Sequence, residues 1–203
     1  MLDGSLNQLT NEIKRCEACH LKENRTQVVP GIYGYTGGIC FIGEAPGYYE
    51  DLKGLPFVGR SGKLLDKMLI ENGLSRQSVS ILNIIKCRPT TDEGENRTPT
   101  ESERRFCGER WLFKQLELLS PKLIVALGGI ALKFFIPNAA VTKYVGQLHN
   151  TDLGLKLFVT YHPAYILRNA NIIEEYNKHF EEIKKLHDKG IKKGGQKSLT
   201  DFF

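Results

Sequence analysis

Four short apolar runs decide what this chain can fold into. Ile39-Cys40-Phe41-Ile42 ends in Gly43-Glu44-Ala45-Pro46-Gly47, and Val79 to Ile85 runs on into Lys86-Cys87-Arg88-Pro89. Leu123 to Leu127 closes on Gly128-Gly129, and Leu157 to Tyr161 closes on His162-Pro163-Ala164. Runs this short, mainly apolar rather than alternating, read as strands buried on both faces. Helical periods lie between them. Leu64, Leu65, Met68 and Leu69 share one face of Lys63 to Leu74, with Gly73 as the stop. A helix from Thr100 carries Cys107, Trp111, Leu112, Leu116 and Leu119, another follows Gly129, and a polar helix with Ile172, Ile173, Tyr176, Phe180, Ile183 and Leu186 closes the domain. A shorter amphipathic helix, with Leu6, Leu9 and Ile13, opens it. Strands alternating with helices imply an α/β fold, a parallel doubly wound sheet covered on both faces. There is no internal repeat or interdomain linker, so residues 1–188 are expected to form one domain, with 189–203 as a Lys- and Gly-rich flexible tail.

In open α/β sheets, ligands sit beyond the carboxyl ends of the strands. Three such ends carry polar groups here: Glu44 after the first run, Asn83 in the second and His162 after the fourth. The stretch after the first run adds Glu50, Asp51 and Phe57, then a glycine-rich basic turn, Gly59-Arg60-Ser61-Gly62. This places Glu44, Glu50, Asp51 and Phe57 at the mouth of an expected pocket. The plainer alternative is a strand-to-helix connection with solvated acids, Asn83 bonded to neighbouring backbone and His162 as a loop residue. Three polar residues at one sheet edge favour a site.

A net charge of +5 permits an anionic partner such as nucleic acid without requiring one. No apolar run approaches a membrane span, and the N-terminal residues lack a signal-peptide pattern, so a reducing cytoplasm is expected. In that compartment the 5 cysteines argue against a disulfide framework. Cys40 lies within an apolar strand and suits a core position. Cys16 and Cys19, spaced C-x2-C, allow a redox dithiol, a metal pair or coincidence. With Cys87 and Cys107 they suit a site of four thiolates, either zinc or iron–sulfur. The split second pair tilts this toward a cluster.

Taken together, Cys16-x2-Cys19, Gly43-Glu44-Ala45-Pro46-Gly47, Gly59-Arg60-Ser61-Gly62, Asn83-Ile84-Ile85-Lys86-Cys87-Arg88-Pro89, Asn96-Arg97-Thr98-Pro99, Cys107 and His162-Pro163-Ala164 resemble the family 4 uracil-DNA glycosylases, in order, from Cys16 to Arg168. Glu44 separates the chain from family 5, whose corresponding turn carries an apolar residue. The loop from Cys87 to Cys107 is longer than the family's, through Asp92-Glu93-Gly94-Glu95. The resemblance implies a three-layer fold on a central four-stranded parallel sheet. It also implies a structural [4Fe–4S] cluster on Cys16, Cys19, Cys87 and Cys107, and hydrolysis of the bond between uracil and deoxyribose in base-excision repair.

That chemistry assigns roles. Uracil must leave the helix for a pocket. The resemblance places Phe57 as the stacking ring, Asn83 as the reader of O4 and N3–H, and Gly43 and Ala45 as pocket lining. His162 is expected to hydrogen-bond O2 as negative charge develops there. Ala45 stands where better-known uracil glycosylases carry an aspartate that orients the attacking water. Glu50, with Glu44 second, is expected to hold that water or exclude the methyl of thymine. Arg60, Ser61 and Gly62 are expected at phosphates, and Tyr165 to Arg168 in the groove.

The chain closes with Gln196-Lys197-Ser198-Leu199-Thr200-Asp201-Phe202-Phe203. Gln196, Leu199, Phe202 and Phe203 look like the peptide that docks on the replication sliding clamp, PCNA, with an apolar plug on one helical turn. The alternative is a tail packed on its own domain. By resemblance this clamp peptide, beside an iron–sulfur glycosylase, implies an archaeal, nucleoid-associated protein, and a monomer is expected. Two other readings remain open at this level. One is a non-catalytic nucleic-acid-binding module with an architectural four-cysteine site. The other is an electron-transfer protein, which leaves Phe57, Asn83 and His162 unexplained.

Overall fold

A computed structural model describes residues 4–189. The clamp-like residues Gln196, Leu199, Phe202 and Phe203 lie outside the described residues. Helix α1 (Gly4–Lys14) precedes strand β1 (Ile39–Gly43), short helix α2 (Tyr48–Lys53) and helix α3 (Arg60–Glu71). Strand β2 (Ser80–Asn83) leads to α4 (Glu101–Cys107), a widened π turn over Gly108–Leu112, and α5 (Phe113–Leu119). Then come β3 (Leu123–Leu127), α6 (Gly129–Phe135), α7 (Val141–Tyr144), β4 (Leu148–Asn150), β5 (Lys156–Thr160), α8 (Pro163–Arg168) and α9 (Ile173–Asp188).

Among the described residues, the strands form one 5-stranded sheet in the order β2-β1-β3-β5-β4. The four apolar runs pair in parallel as expected. The fifth strand, β4, pairs antiparallel with β5 and closes that edge. Its exposed, three-residue sequence carries no strand-like apolar pattern, so nothing in the residues announced it.

Side chains alternate across the parallel strands, and both faces are buried. Cys40, Ile42, Leu82, Ile124, Ala126, Leu157 and Val159 pack with α1, α5 and α6. Ile39, Phe41, Ile81, Val125 and Phe158 pack with α3, α8 and α9. This is the three-layer arrangement that uninterrupted apolar strands require. The helix after Pro99 begins where the sequence says it should. Thr100 accepts from the Glu103 N–H and the Glu103 carboxylate accepts from the Thr100 N–H, a reciprocal cap.

Register then sets the site. Gly43 and Asn83 are partners at the carboxyl ends of β1 and β2. The apolar run of β2 continues past the strand, where Ile84 and Ile85 donate to the carbonyls of Gly43 and Glu44. Asn83 therefore ends its strand rather than sitting mid-run, with its side chain at the sheet edge.

Candidate active site

Three strand ends meet around Phe57. A Cβ on Gly43 would stand 2.5 Å from Asn83 Oδ1 and 2.6 Å from Phe57 Cζ. Only glycine lets both side chains close over the end of β1. The Phe57 ring lies 5.7 Å, centroid to centroid, from the His162 ring. Gly43, Phe57, Asn83 and His162, singled out from the sequence, thus come together.

Phe57 sits in the left-handed backbone region at φ 52, uncommon for a residue with a side chain. The turn is held from both sides. Arg76 donates to the carbonyls of Pro56 and Phe57 and is itself anchored to Asp66. Glu50 Oε1 accepts from the N–H groups of Val58 and Gly59, each at 2.9 Å. Gly62 is buried, and a Cβ there would overlap the Phe57 carbonyl, so its lack of a side chain lets the turn lie on α3. Arg60 is exposed at the start of that helix and Ser61 is partly buried.

Asn83 is buried, and its Oδ1 has no partner among the described residues. A buried amide oxygen without a donor costs about 1–3 kcal/mol. That cost is relieved when a ligand brings a donor. His162 caps α8, with Nδ1 accepting from the Ala164 N–H at 3.1 Å. In the neutral ring this leaves the proton on Nε2. Burial first, then the positive charge of Arg168, pushes His162 down to about 4, with Glu50 opposing. The ring is therefore a neutral donor near pH 7. A Cβ on Gly128 would stand 3.0 Å from His162 Cβ, so this glycine brings the end of β3 up to the histidine.

The acids divide. Glu50 is partly buried and within electrostatic reach of His162. Glu44 is partly buried just past the end of β1, and burial raises its carboxyl despite Arg104. Asp51, expected at the mouth, is buried and turns away to accept from Thr26 and Gln27 N–H groups. It fastens the N-terminal segment to α2. Ala45 is partly buried between Glu44 and Pro46. Tyr165 is exposed on α8 and stacks on Tyr161 at 5.4 Å, and Arg168 ends the same helix, exposed.

All four expected metal-binding cysteines are free thiols, Cys16 and Cys19 partly buried, Cys87 and Cys107 buried. They pack on one cluster of core residues. Cys87 feels the charge of Cys19 and Cys16, and Cys107 that of Cys87 and Cys19, so the sulfurs share one neighbourhood. Among the described residues, no group of three or more His, Cys, Asp and Glu closes round a single metal ion. A soft, all-sulfur donor set spread about a common space fits an iron–sulfur cluster, which is larger than one ion. Two donors aim at the sulfurs: Arg25 at Cys87, 3.1 Å, and Trp111 Nε1 at Cys16, 3.3 Å.

Several residues that shape the site gave no isolated sequence signal. Arg97 forks onto Glu103, which also meets His20, tying the loop before α4 to the turn after Cys19. Lys86, buried between the cysteines and the pocket, donates to the Asn83 carbonyl at 2.6 Å. Arg97 does lie within Asn96-Arg97-Thr98-Pro99, and Lys86 within the Asn83-to-Pro89 motif, so the motifs marked the places without the contacts.

The family model described as Uracil DNA glycosylase superfamily matches residues 30–185. The chain is 42% identical over 185 residues to the type-4 uracil-DNA glycosylase of Thermotoga maritima, spanning 87% of this chain and 94% of that one. It is 39% identical over 190 residues to the type-4 uracil-DNA glycosylase of Archaeoglobus fulgidus, spanning 90% and 93%. A third type-4 uracil-DNA glycosylase, from Sulfurisphaera tokodaii, is 37% identical over 191 residues, spanning 90% and 84%.

Proposed function

Since the chain belongs to the uracil DNA glycosylase superfamily, within its type-4 branch, we propose how its own residues remove uracil from DNA. The protein is a hydrolytic uracil-DNA glycosylase of base-excision repair. The observation that carries the assignment of residues is the unpartnered Asn83 Oδ1, buried beside Phe57 at the end of β2.

Uracil flipped from the strand stacks on Phe57 and pairs with the Asn83 amide, Oδ1 accepting from N3–H and Nδ2 donating to O4. Cytosine presents the reverse pattern and would leave the buried amide unpaired. Gly43 and Ala45 line the pocket. The C1′–N1 bond breaks with its electron pair passing to the base, so negative charge grows on O2. The neutral His162 Nε2–H donates to that oxygen, with the tautomer fixed by the Ala164 N–H. Water adds its oxygen to C1′, and the proton it loses passes through solvent to the departing uracil anion. Glu50 holds that water or blocks the methyl of thymine, with Glu44 as the second acid. What favours Glu50 is its electrostatic reach to His162 and a carboxylate fixed by two backbone donors. Its negative charge also suits the positive charge that develops on the sugar. Arg60, Ser61 and Gly62 meet phosphates on one side of the pocket. Tyr165 and Arg168 enter the groove on the other.

Cys16, Cys19, Cys87 and Cys107 would hold a [4Fe–4S] cluster, which supplies cross-linking of the N-terminal turn, the strand end and α4 rather than chemistry. Gln196, Leu199, Phe202 and Phe203 form the sliding-clamp peptide in the same proposal, supported by their spacing, and the enzyme works as a monomer. Among the described residues, no helix is long and apolar enough to cross a membrane.

Incubation with a labelled strand holding one uracil, followed by hot alkali, tests the reading. Cleavage that needs the alkali step is the expected result for a monofunctional glycosylase. An intact strand from folded protein would move the assignment to a non-catalytic DNA-binding module.

A further inference from the structure

Helix α2 turns its acids inward and its aromatic rings outward. Glu50 Oε1 accepts from the Val58 and Gly59 N–H groups, and Asp51 from those of Thr26 and Gln27. What remains on the outer surface is Tyr48 and Tyr49, 51% and 57% exposed, with Leu52 and Lys53 after them. The two tyrosine rings meet edge to face at 5.4 Å. The Arg88 guanidinium lies over Tyr48, 5.1 Å from its centroid. Arg88 does not roam. Its Nε donates to Asn96 Oδ1 and its Nη2 to the Gly94 carbonyl, while Nη1 is uncommitted among the described residues.

From this arrangement we infer that Tyr48 and Tyr49 are a stacking platform for an unpaired nucleotide adjoining the flipped uracil on the same strand, with Arg88 at its phosphate. The inference rests on the uracil-excision reading above. Two observations choose nucleic acid as the occupant. The patch carries a fixed cation on an aromatic face, which is the chemistry that suits a base and its phosphate. It is also continuous with the pocket. Tyr49 lies against Gly59, whose N–H Glu50 holds, and Arg60 follows at once on α3. A nucleotide next to one seated on Phe57 reaches this surface along the strand.

The test uses the full chain and a single-stranded oligonucleotide carrying 2′-fluoro-deoxyuridine, which resists cleavage, with 2-aminopurine placed on either side of it. Wild-type protein is expected to quench 2-aminopurine on one of the two sides. The Y48A/Y49A variant is expected to lose that quenching and to bind about tenfold or more weakly. Y48F/Y49F, which keeps both rings, is expected to retain both. Ile70→Ala removes a still more exposed apolar residue on the far end of α3 and is expected to change neither. Unaltered affinity and quenching in Y48A/Y49A would overturn the platform. Excision by wild-type protein on the matching deoxyuridine strand is measured beside it. If that excision fails, the catalytic reading falls. If excision succeeds while the alanine variant binds normally, only the platform falls.

Discussion

Asn83 and Gly43 face each other across the ends of two parallel strands, and the glycine has room for no side chain: a Cβ would stand 2.5 Å from the asparagine Oδ1. The pocket's floor is thus set by an absence of atoms. Gly43→Ala is expected to displace Phe57 or Asn83 and to lower kcat/KM for uracil excision by about a hundredfold, since small misplacements at a reacting centre are that costly. The protein should still fold, because the clash falls at the very ends of β1 and β2 and not inside either strand. Steady-state kinetics beside a denaturation curve would check both halves, and wild-type kinetics in the alanine variant would refute the pocket.

His162 can be separated into a cap and a donor. Asparagine also caps helices, so His162→Asn is expected to keep α8 while losing the Nε2–H, with turnover falling about 100- to 1000-fold and DNA binding largely retained. The titration has a definite sign. The folded value, about 4, lies below the usual value near 6.5, so the unfolded chain takes up the proton first. This site therefore adds a destabilising penalty that grows as pH falls from about 6.5 to about 4, and contributes nothing above that window. Melting temperature against pH should be flatter there in His162→Asn than in wild type.

Glu103 joins three chain segments. Arg97 above all, then the Thr100 N–H and His20, holds its carboxyl down to about 2. Because the folded value is depressed, this stabilisation is present above about pH 4.5 and is lost as pH falls toward 2. Glu103→Ala leaves Arg97 without its partner and removes half of the reciprocal cap. A loss of about 2–4 kcal/mol is expected in urea denaturation at pH 7, shrinking in acid. An equal loss at pH 7 and pH 3 would contradict the account.

Replacing one thiol tests the metal site. Cys107→Ser is expected to abolish bound iron and broad visible absorbance, and to lower the melting temperature. Iron content unchanged from wild type would exclude Cys107 as a ligand.

Removing the last eight residues, Gln196 to Phe203, is expected to abolish binding to a sliding clamp while sparing excision on short oligonucleotides. Clamp affinity equal to that of the full chain would rule out the tail as the docking peptide.

The four parallel strands were legible because each lies in a short, mainly apolar run, and burial on both sheet faces leaves that imprint directly. Gly43, Asn83 and His162 were legible because strand ends of a parallel sheet share one edge. Other features depend on contacts far apart in sequence. The acids of α2 read alike in the chain, yet Asp51 fastens residues 26 and 27 while Glu50 braces the Phe57 turn. Nothing local distinguishes them. Helix α2 itself is six residues long, too short for its period to register. Strand β4 exists by pairing with β5 rather than by any apolar pattern. Arg76 looks like a surface residue in a turn, and only the folded chain brings it to the carbonyls of Pro56 and Phe57.

The pocket draws on residues 43, 57, 83 and 162, delivered by strands that pair out of chain order. No nascent fragment that stops short of α8 can possess it. As the ribosome works from the amino end, the Phe57 and Asn83 half emerges first and waits for His162. On the proposed assignment of His162, excision awaits that late segment and the docking of β5 beside β3, a single late event of synthesis coupled to completion of the sheet.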